Sequence, residues 1–228
     1  MTYTLYYGDE AFSSWSLRGW LMFEKFSISC ESKLLGLYSG NLQADLLSLA
    51  PARFVPVMQT PEGLVVGDTL AMAETLAERH PEAGLWPNDP AHRALARWLS
   101  AEMHSSFTAL RSECPMQLFG VYQGFTPSDA LREDLTRLDA LWRHARTQSD
   151  SETPWLFGAY CLADVFFAPV AARIAGYNLP VSKAARAYVD AHLTCPAFRK
   201  WRAAGIARQY DPEPYKLDLP RDNWPIPV

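Results

Sequence analysis

The residues of this sequence best suited to chemistry lie in three short runs. The first is SSWS, in which Ser13, Ser14 and Ser16 stand between an alternating, β-rich segment and an apolar helical segment. A serine hydroxyl at the start of a helix can donate a hydrogen bond to an anion, and the helix dipole stabilises negative charge there. A thiolate, the nucleophilic form of a thiol, is one anion that such a site would stabilise. A plain helix N-cap is the structural alternative for the same serines.

The other two runs are Val55-Pro56 and Asp68-Thr69, which suit the binding of a small peptide-like ligand. A cis bond at Val55-Pro56 would leave the Val55 N–H and C=O unpaired and facing a groove. Asp68 and Thr69 stand where a helix should start, so the hydroxyl and free N–H groups could hold a carboxylate and the acid an ammonium. A ligand with an amide backbone, a carboxylate and an amino group fits both runs. An edge-strand proline and an ordinary helix cap are the alternatives.

Hydrophobic periodicity and turn residues predict the elements that position these runs. Strands are predicted over residues 3–7, 28–35, 56–60 and 64–67, and helices over 13–25, 41–50 and 69–79. This βαβ-ββα order is that of a thioredoxin-like unit. After a proline-rich segment, helices are predicted over residues 91–113, 128–148, 162–175, 182–194 and 196–208, followed by an extended, proline-rich strap. We therefore predict a first domain over residues 1–80, a linker over 81–90 and a helical domain over 91–228.

Composition limits the class of function. Apolar residues make up 49% of the 228 residues, enough for a sizeable core, and the net charge of −4 favours neither nucleic acid nor an anionic membrane as a partner. The sequence shows no signal peptide pattern and no apolar run of about 18 residues that could span a bilayer. The four cysteines lack CxxC spacing, which predicts free thiols in a reducing cytoplasm and no metal site.

The order and spacing of these motifs resemble the cytosolic glutathione S-transferases over nearly the whole chain, and most closely their serine-type bacterial and zeta-like branch. The resemblance implies an α/β plus all-α fold, in which an N-terminal thioredoxin-like domain precedes a C-terminal all-helical bundle. It implies Ser14 as the catalytic hydroxyl, with Ser13 as the competing choice. It also implies four glutathione-binding residues: Val55, Pro56, Asp68 and Thr69. Asp68 stands where the family usually has Glu or Gln.

Two further groups of residues have predicted roles, the first from the same resemblance and the second from its position on a predicted helix. Cys161 and Asp164 match the family's buried capping motif, with Cys161 where a hydroxyl residue is expected, and we interpret both as structural. Met103, Phe107 and Arg111 lie on the predicted helix 91–113 and could line a substrate pocket above the thiol. For Met103 and Phe107, helical spacing favours a place in the hydrophobic core over a place in the pocket.

The predicted function is therefore conjugation of glutathione, as co-substrate and without a metal, to a hydrophobic electrophile. The expected location is the cytoplasm, and the expected assembly is a homodimer with no nucleic acid or membrane partner. Candidate dimer contacts lie on helix 69–79 and the start of helix 91–113: Leu70, Met72, Ala73 and Trp98. Two alternatives stay open, a glutathione-dependent isomerase of the maleylacetoacetate type and a non-catalytic glutathione-binding module. Trp15 disfavours the isomerase, whose corresponding run has Cys, and the lack of a cysteine near residues 13–16 disfavours a thiol–disulfide oxidoreductase.

Overall fold

The first part of the chain forms a four-stranded mixed sheet with helices. The computed structural model describes residues 2–226. The strands are Tyr3–Tyr7 (β1), Cys30–Leu34 (β2), Val57–Gln59 (β3) and Val65–Val66 (β4), and the helices are Ser14–Lys25 (α1), Leu42–Asp45 (α2) and Thr69–Arg79 (α3). In the strand order β2-β1-β3-β4, β1 is parallel to β2 and antiparallel to β3, and β3 and β4 form a hairpin. This arrangement confirms the predicted thioredoxin-like unit.

The remainder of the chain is mainly helical, as predicted. The helices are Pro90–Ser105 (α4), Thr108–Glu113 (α5), Asp129–Ser149 (α6), Leu162–Gly176 (α7), Lys183–Thr194 (α8) and Pro196–Ile206 (α9). Two short antiparallel strands connect the strap to the helical region: Gly120–Tyr122 (β5) and Arg221–Asn223 (β6). The sequence did not predict this pair. Within residues 2–226, no helix combines the length and the apolar character needed to cross a membrane. The domain limits at residues 80 and 90 stay predictions.

All residues of helix α7 are buried, which places this helix at the centre of the molecule. It packs against α1 of the first domain and against α4 and α8, so one hydrophobic core spans both halves of the chain. Its first turn is held by Asp164, whose carboxylate accepts from Cys161 N–H at 2.9 Å and from the Tyr188 hydroxyl at 2.7 Å. Burial raises the pKa of Asp164. The capping motif thus joins the start of α7 to α8, which agrees with a structural role.

The prediction of one helix over residues 91–113 is wrong, because the helix is interrupted between α4 and α5. Phe107 has φ of 61°, a left-handed conformation that no helix continues through, and its side chain is buried. Asp134 of α6 then accepts from Leu110 N–H at 2.9 Å, which satisfies an amide of the new helix start. The predicted helix 41–50 is also shorter, with α2 followed by a 3-10 turn at Leu47–Leu49.

Part of the predicted dimer surface is also wrong. Met72 and Ala73 are fully buried in the chain's own core, so they have no surface to offer a partner. Trp98 on α4 is 49% exposed and stays available for such a contact. The homodimer itself stays a prediction.

The C-terminal elements hold the loop that precedes Ser14. Trp201 Nε1 of α9 donates to Glu10 O at 2.8 Å, and Arg208 pairs with the buried Glu10 carboxylate at 2.7 Å. The Tyr210 hydroxyl donates to Asp9 Oδ1 at 2.8 Å. The end of the chain therefore fixes the start of α1 from outside its own domain.

We predict that Gly205→Ala destabilises the protein, since α9 approaches this loop most closely at Gly205. An alanine Cβ there would lie 2.8 Å from Ala11 N and 3.1 Å from Ala11 Cα, backbone atoms that cannot rotate away. Such overpacking costs about 1–3 kcal/mol, more than the gain of roughly 1 kcal/mol that alanine brings inside a helix. Urea denaturation gives the free energy of unfolding, with Ala204→Ser on the exposed side of α9 as control. A variant as stable as the unmodified protein would contradict the close approach.

Candidate active site

A cavity of about 730 Å³ opens between the loops of the first domain and the helical region. It brings together most of the site residues expected from the sequence: Ser13, Ser14, Val55, Pro56, Asp68, Thr69 and Arg111. Met116 of the segment after α5 and Tyr215 of the strap also reach its wall. Because both halves of the chain line the cavity, its shape depends on how they pack together.

The two neighbouring serines, Ser13 and Ser14, make different hydrogen bonds. The Ser13 hydroxyl donates to Ser16 Oγ at 2.7 Å and accepts from Ser16 N–H at 3.3 Å, and Ser16 Oγ also accepts from Gly8 N–H at 2.8 Å. Ser13 is thus the N-cap of α1, and its proton is used within the loop. Ser14 Oγ instead accepts from Arg173 Nη2 at 3.2 Å. Among the described residues its own proton has no acceptor, so that proton can be donated into the cavity.

Arg173, on α7, is a site residue that the sequence analysis missed. Besides the bond to Ser14, its Nε donates to Cys114 O at 2.9 Å and its Nη1 to Pro169 O at 3.2 Å, which fixes the plane of the guanidinium. Burial, with repulsion from Arg111, lowers the pKa of Arg173 to about 10, so the group stays charged at neutral pH. The sequence did contain a signal for Arg173, because it is a lone arginine in the most apolar helix of the chain. Charged residues are rarely buried, so such a position indicates a specific role.

Val55 and Pro56 form one rim of the cavity. The Val55-Pro56 bond is cis, as predicted. Pro56 packs directly on α1 at Gly19, where an added Cβ would lie 3.0 Å from Pro56 Cγ. Within residues 2–226, neither the N–H nor the C=O of Val55 has a hydrogen-bond partner. Both groups are therefore available to a ligand with an amide backbone.

Asp68 and Thr69 form the neighbouring rim, and here the structure corrects one expectation. Asp68 Oδ1 accepts from Leu70 N–H at 2.8 Å and from Ala71 N–H at 3.1 Å, so these amides are capped by the aspartate itself and are not free for a ligand. Asp68 Oδ2 lies 3.3 Å from Nε2 of His104. The Thr69 hydroxyl is buried, lines the cavity and has no partner in the described part of the chain. An unpaired buried hydroxyl is costly, so this oxygen is suited to a ligand group.

Two of the three residues expected in the substrate pocket lie elsewhere. Met103 and Phe107 are 1% and 4% exposed and belong to the hydrophobic core. Only Arg111 lines the cavity. Tyr7 does not line the cavity, and its hydroxyl donates to Glu10 at 3.1 Å.

Aromatic side chains from three separate segments form a wall that the sequence did not reveal. Tyr38 lies after β2, Phe12 lies before α1, and Tyr215 lies in the strap, with ring centroids 5.8–6.1 Å apart. Nothing in the local pattern of these segments indicates that they meet. No His, Cys, Asp and Glu side chains in residues 2–226 form a group that could hold a metal ion.

Sequence comparison supports one family. Residues 12–79 match the family described as glutathione S-transferase, N-terminal domain. The probable maleylacetoacetate isomerase of Caenorhabditis elegans is 33% identical over 132 residues, which cover 56% of this chain and 60% of that protein. The maleylacetoacetate isomerase of Pseudomonas aeruginosa is 29% identical over 161 residues, covering 69% and 75%. The match to that of Dictyostelium discoideum covers 51% of its length, so the chain aligns with only part of each curated relative.

Solved structures share the fold along most of the chain. A glutathione transferase homologue from Burkholderia, crystallised with glutathione, has a TM-score of 0.67 at 24% identity and covers 92% of this chain and 100% of its own. A homologue from Lodderomyces elongisporus, with two glutathione molecules per subunit, has a TM-score of 0.68 at 16% identity and covers 89% and 98%. Together, these comparisons show a glutathione S-transferase N-terminal domain over residues 12–79 and the glutathione transferase fold along most of the chain. The resemblance noted from the motifs is thereby confirmed.

The different states of the two serines predict different effects on stability. Ser13→Ala removes an N-cap and should lower the free energy of unfolding by about 1 kcal/mol. Ser14→Ala should cost less than about 0.5 kcal/mol, because water in the cavity can replace the lost acceptor for Arg173. Chemical denaturation of both variants measures the difference. Equal losses, or a larger loss for Ser14→Ala, would contradict the assignment of Ser13 as the capping residue.

Proposed function

We propose that this protein is a glutathione transferase, in which Ser14 activates the glutathione thiol for attack on an electrophilic carbon. The observation that carries the proposal is the state of Ser14, whose oxygen accepts from Arg173 and whose proton is free toward the cavity. A hydroxyl in that state is a ready donor to a thiolate. The family match over residues 12–79 supports the same activity.

The physical effect required of Ser14 is modest. A thiol has an ordinary pKa of about 8.5, and lowering it by about two units requires roughly 2.7 kcal/mol of stabilisation of the anion. A hydrogen bond to a charged group contributes about 1.5–3 kcal/mol. The nearby Arg173 guanidinium and the N-terminus of α1 stabilise negative charge in addition. Arg173 also polarises Ser14, because a hydroxyl that accepts from a cation is a stronger donor.

Glutathione would be held by the two rims of the cavity. Its cysteinyl amide and carbonyl match the unpaired C=O and N–H of Val55. Its γ-glutamyl carboxylate matches the free hydroxyl and first helical amide of Thr69, at the positive end of α3. Its ammonium group matches the carboxylate of Asp68, which still has lone pairs beyond those used in capping. Its thiol would then lie at Ser14.

The second substrate would lie between Tyr38 of the first domain and Met116 and Tyr215 of the helical region, all of which line the cavity. In the reaction the thiolate sulfur forms a bond to the electrophilic carbon. If that carbon carries a leaving group, the group departs with the bonding electrons. If it belongs to an activated double bond, the electrons move to the conjugated carbonyl and a proton from water completes the product. The cavity contributes mainly by positioning the two reactants.

The names of the sequence relatives favour one second candidate, a glutathione-dependent cis–trans isomerase. There the thiolate would add to a conjugated double bond, the bond would rotate, and elimination would return glutathione unchanged. The same Ser14 and the same glutathione rims serve both reactions, so the outcome depends on which electrophile the cavity admits. Glutathione is consumed in conjugation and conserved in isomerisation, so its concentration during turnover separates the two.

We predict that Ser14→Ala lowers kcat by about 10- to 100-fold, because the bound thiol then loses up to about two units of pKa depression. The dissociation constant for glutathione should change much less. The lost rate should return as the pH rises, since a thiol with an ordinary pKa ionises without help. Steady-state rates from pH 6 to 9 with an aryl halide, an enone and a maleyl cis-diene, and calorimetry with glutathione, provide the measurements.

Ser13→Ala is the matched control, because it removes a neighbouring hydroxyl that is used in capping. Its folded fraction should retain a pH profile like that of the unmodified protein. Equal kcat values in the unmodified protein and Ser14→Ala at pH 6.5 would disprove the serine mechanism. Tight glutathione binding with no turnover of any electrophile class would instead support the non-catalytic binding module.

Thr69→Val should weaken glutathione binding by roughly 1–3 kcal/mol, since it keeps the shape of the side chain and removes the hydroxyl. Unlike the hydroxyl of a capping residue, that of Thr69 has no partner within the described residues, so its loss should leave the stability of the free protein within about 0.5 kcal/mol. Calorimetry and thermal unfolding test the two statements on one sample. A dissociation constant equal to that of the unmodified protein would show that Thr69 lies outside the glutathione site.

A further inference from the structure

We propose that Arg208, just after α9, is a positioning residue for the reaction, because it holds the loop that leads to Ser14 through the buried carboxylate of Glu10. The inference rests on the proposed function and goes beyond it, since Arg208 does not line the cavity. It gives the C-terminal part of the chain a role in the chemistry of the first domain.

The loop between β1 and α1 places Ser14 by a short chain of backbone hydrogen bonds. Asp9 O accepts from Phe12 N–H at 3.1 Å and from Ser13 N–H at 2.8 Å, and Ser14 N–H donates to Phe12 O at 3.1 Å. These bonds form one tight turn that ends where α1 begins. A displacement of Asp9 or of Glu10 beside it would therefore move Ser14 as well.

Glu10 is a buried carboxylate in this loop, with 3% of its side chain exposed. Its Oε2 accepts from Arg208 Nε at 2.7 Å, and its Oε1 accepts from Arg208 Nη2 and from the Tyr7 hydroxyl, both at 3.1 Å. Burial and the Glu10 carboxylate raise the pKa of Tyr7 to about 12, so this hydroxyl stays a neutral donor. In residues 2–226, Arg208 is thus the one cation within ion-pair distance of Glu10.

Loss of the Arg208 charge would leave an ionised carboxylate buried among neutral groups. A buried charge without a partner is costly, and movement of the Glu10 side chain toward water would relieve that cost. Ser14 follows Glu10 by four positions, so the turn between them would be displaced. A displacement of about 1 Å in a group that must meet a reacting atom can lower the rate by about 100-fold.

The neighbouring acid of the loop is held by the strap in a similar way. Asp9 Oδ1 accepts from the Tyr210 hydroxyl at 2.8 Å, and Asp9 Oδ2 accepts from Leu37 N–H at 2.7 Å. Two adjacent loop residues are therefore bound by Arg208 and Tyr210, while Leu37 holds the loop from the side of β2. This second contact indicates that the strap fixes the position of the loop in addition to balancing its charge.

The test compares three variants at pH 6.5 with saturating glutathione and an aryl halide, an enone and a maleyl cis-diene. Arg208→Gln should lower kcat by about 10- to 100-fold. The KM for glutathione should change by less than about threefold, because the glutathione rims are untouched. Arg208→Lys keeps the charge, and the double variant Glu10→Gln/Arg208→Gln leaves no charge buried, so both should recover part of the lost rate.

Arg137→Gln is the matched control, because it breaks an arginine–carboxylate pair of the same 2.7 Å length, to Glu102, far from the loop in sequence. It should keep the kcat of the unmodified protein. In Arg208→Gln the lost rate should return as the pH rises to 9, where a thiol ionises without help. An unchanged kcat in Arg208→Gln at pH 6.5, or an equal loss at pH 6.5 and pH 9, would overturn the assignment.

Hydrogen exchange keeps the inference separate from the proposed function. The amides of Ser13 and Ser14 donate within the turn, so in Arg208→Gln they should exchange at least about tenfold faster than in the unmodified protein or in Arg137→Gln. Equal exchange rates in all three proteins would overturn the inference. Faster exchange in Arg208→Gln, in a protein that turns over no electrophile, would uphold Arg208 as the residue that holds the loop and contradict the proposed transferase activity.

Discussion

A buried guanidinium joins the two halves of this protein at the point where chemistry would occur. Arg173 extends from α7, the central helix, and donates to Ser14 at the start of α1, to Cys114 after α5 and to its own helix at Pro169. Every one of these acceptors is neutral, so the positive charge is oriented but not cancelled. The Arg173 side chain therefore both orients the Ser14 hydroxyl and supplies the positive electrostatic potential around it.

The packing around Arg173 and Ser14 explains why the hydrogen bond between them can keep its geometry. Helices α1 and α7 share one continuous core, and Gly19 lets Pro56 rest against α1. From the other side, α9 and the strap fix the preceding loop through Glu10 and Asp9. A side chain that must donate to a reacting atom benefits from such support, because small displacements weaken a hydrogen bond steeply. In this chain the support comes from residues nearly two hundred positions away in sequence.

The features that the sequence could predict are those with local causes. Strand alternation, the N-cap at Ser13, the helix start at Asp68 and the cap at Asp164 all depend on neighbours within a few residues, and the element order followed from them. The break at Phe107 could not be predicted in this way, since it depends on Asp134 of another helix. The roles of Arg173, Tyr38 and Tyr215 also depend on distant segments that meet only in the fold. Met103 shows the converse error, in which its position on the predicted helix 91–113 suggested a pocket and tertiary packing buried the residue.

The central claim is that Ser14, held by Arg173, stabilises a thiolate in this cavity. The most direct measurement is the ultraviolet absorbance of the thiolate of bound glutathione, titrated against pH in the unmodified protein and in Ser14→Ala. We predict a thiol pKa about two units below the ordinary value of about 8.5 in the unmodified protein, and a value close to the ordinary one in the variant. The same thiol pKa in both proteins would contradict the account, whatever the rates of turnover.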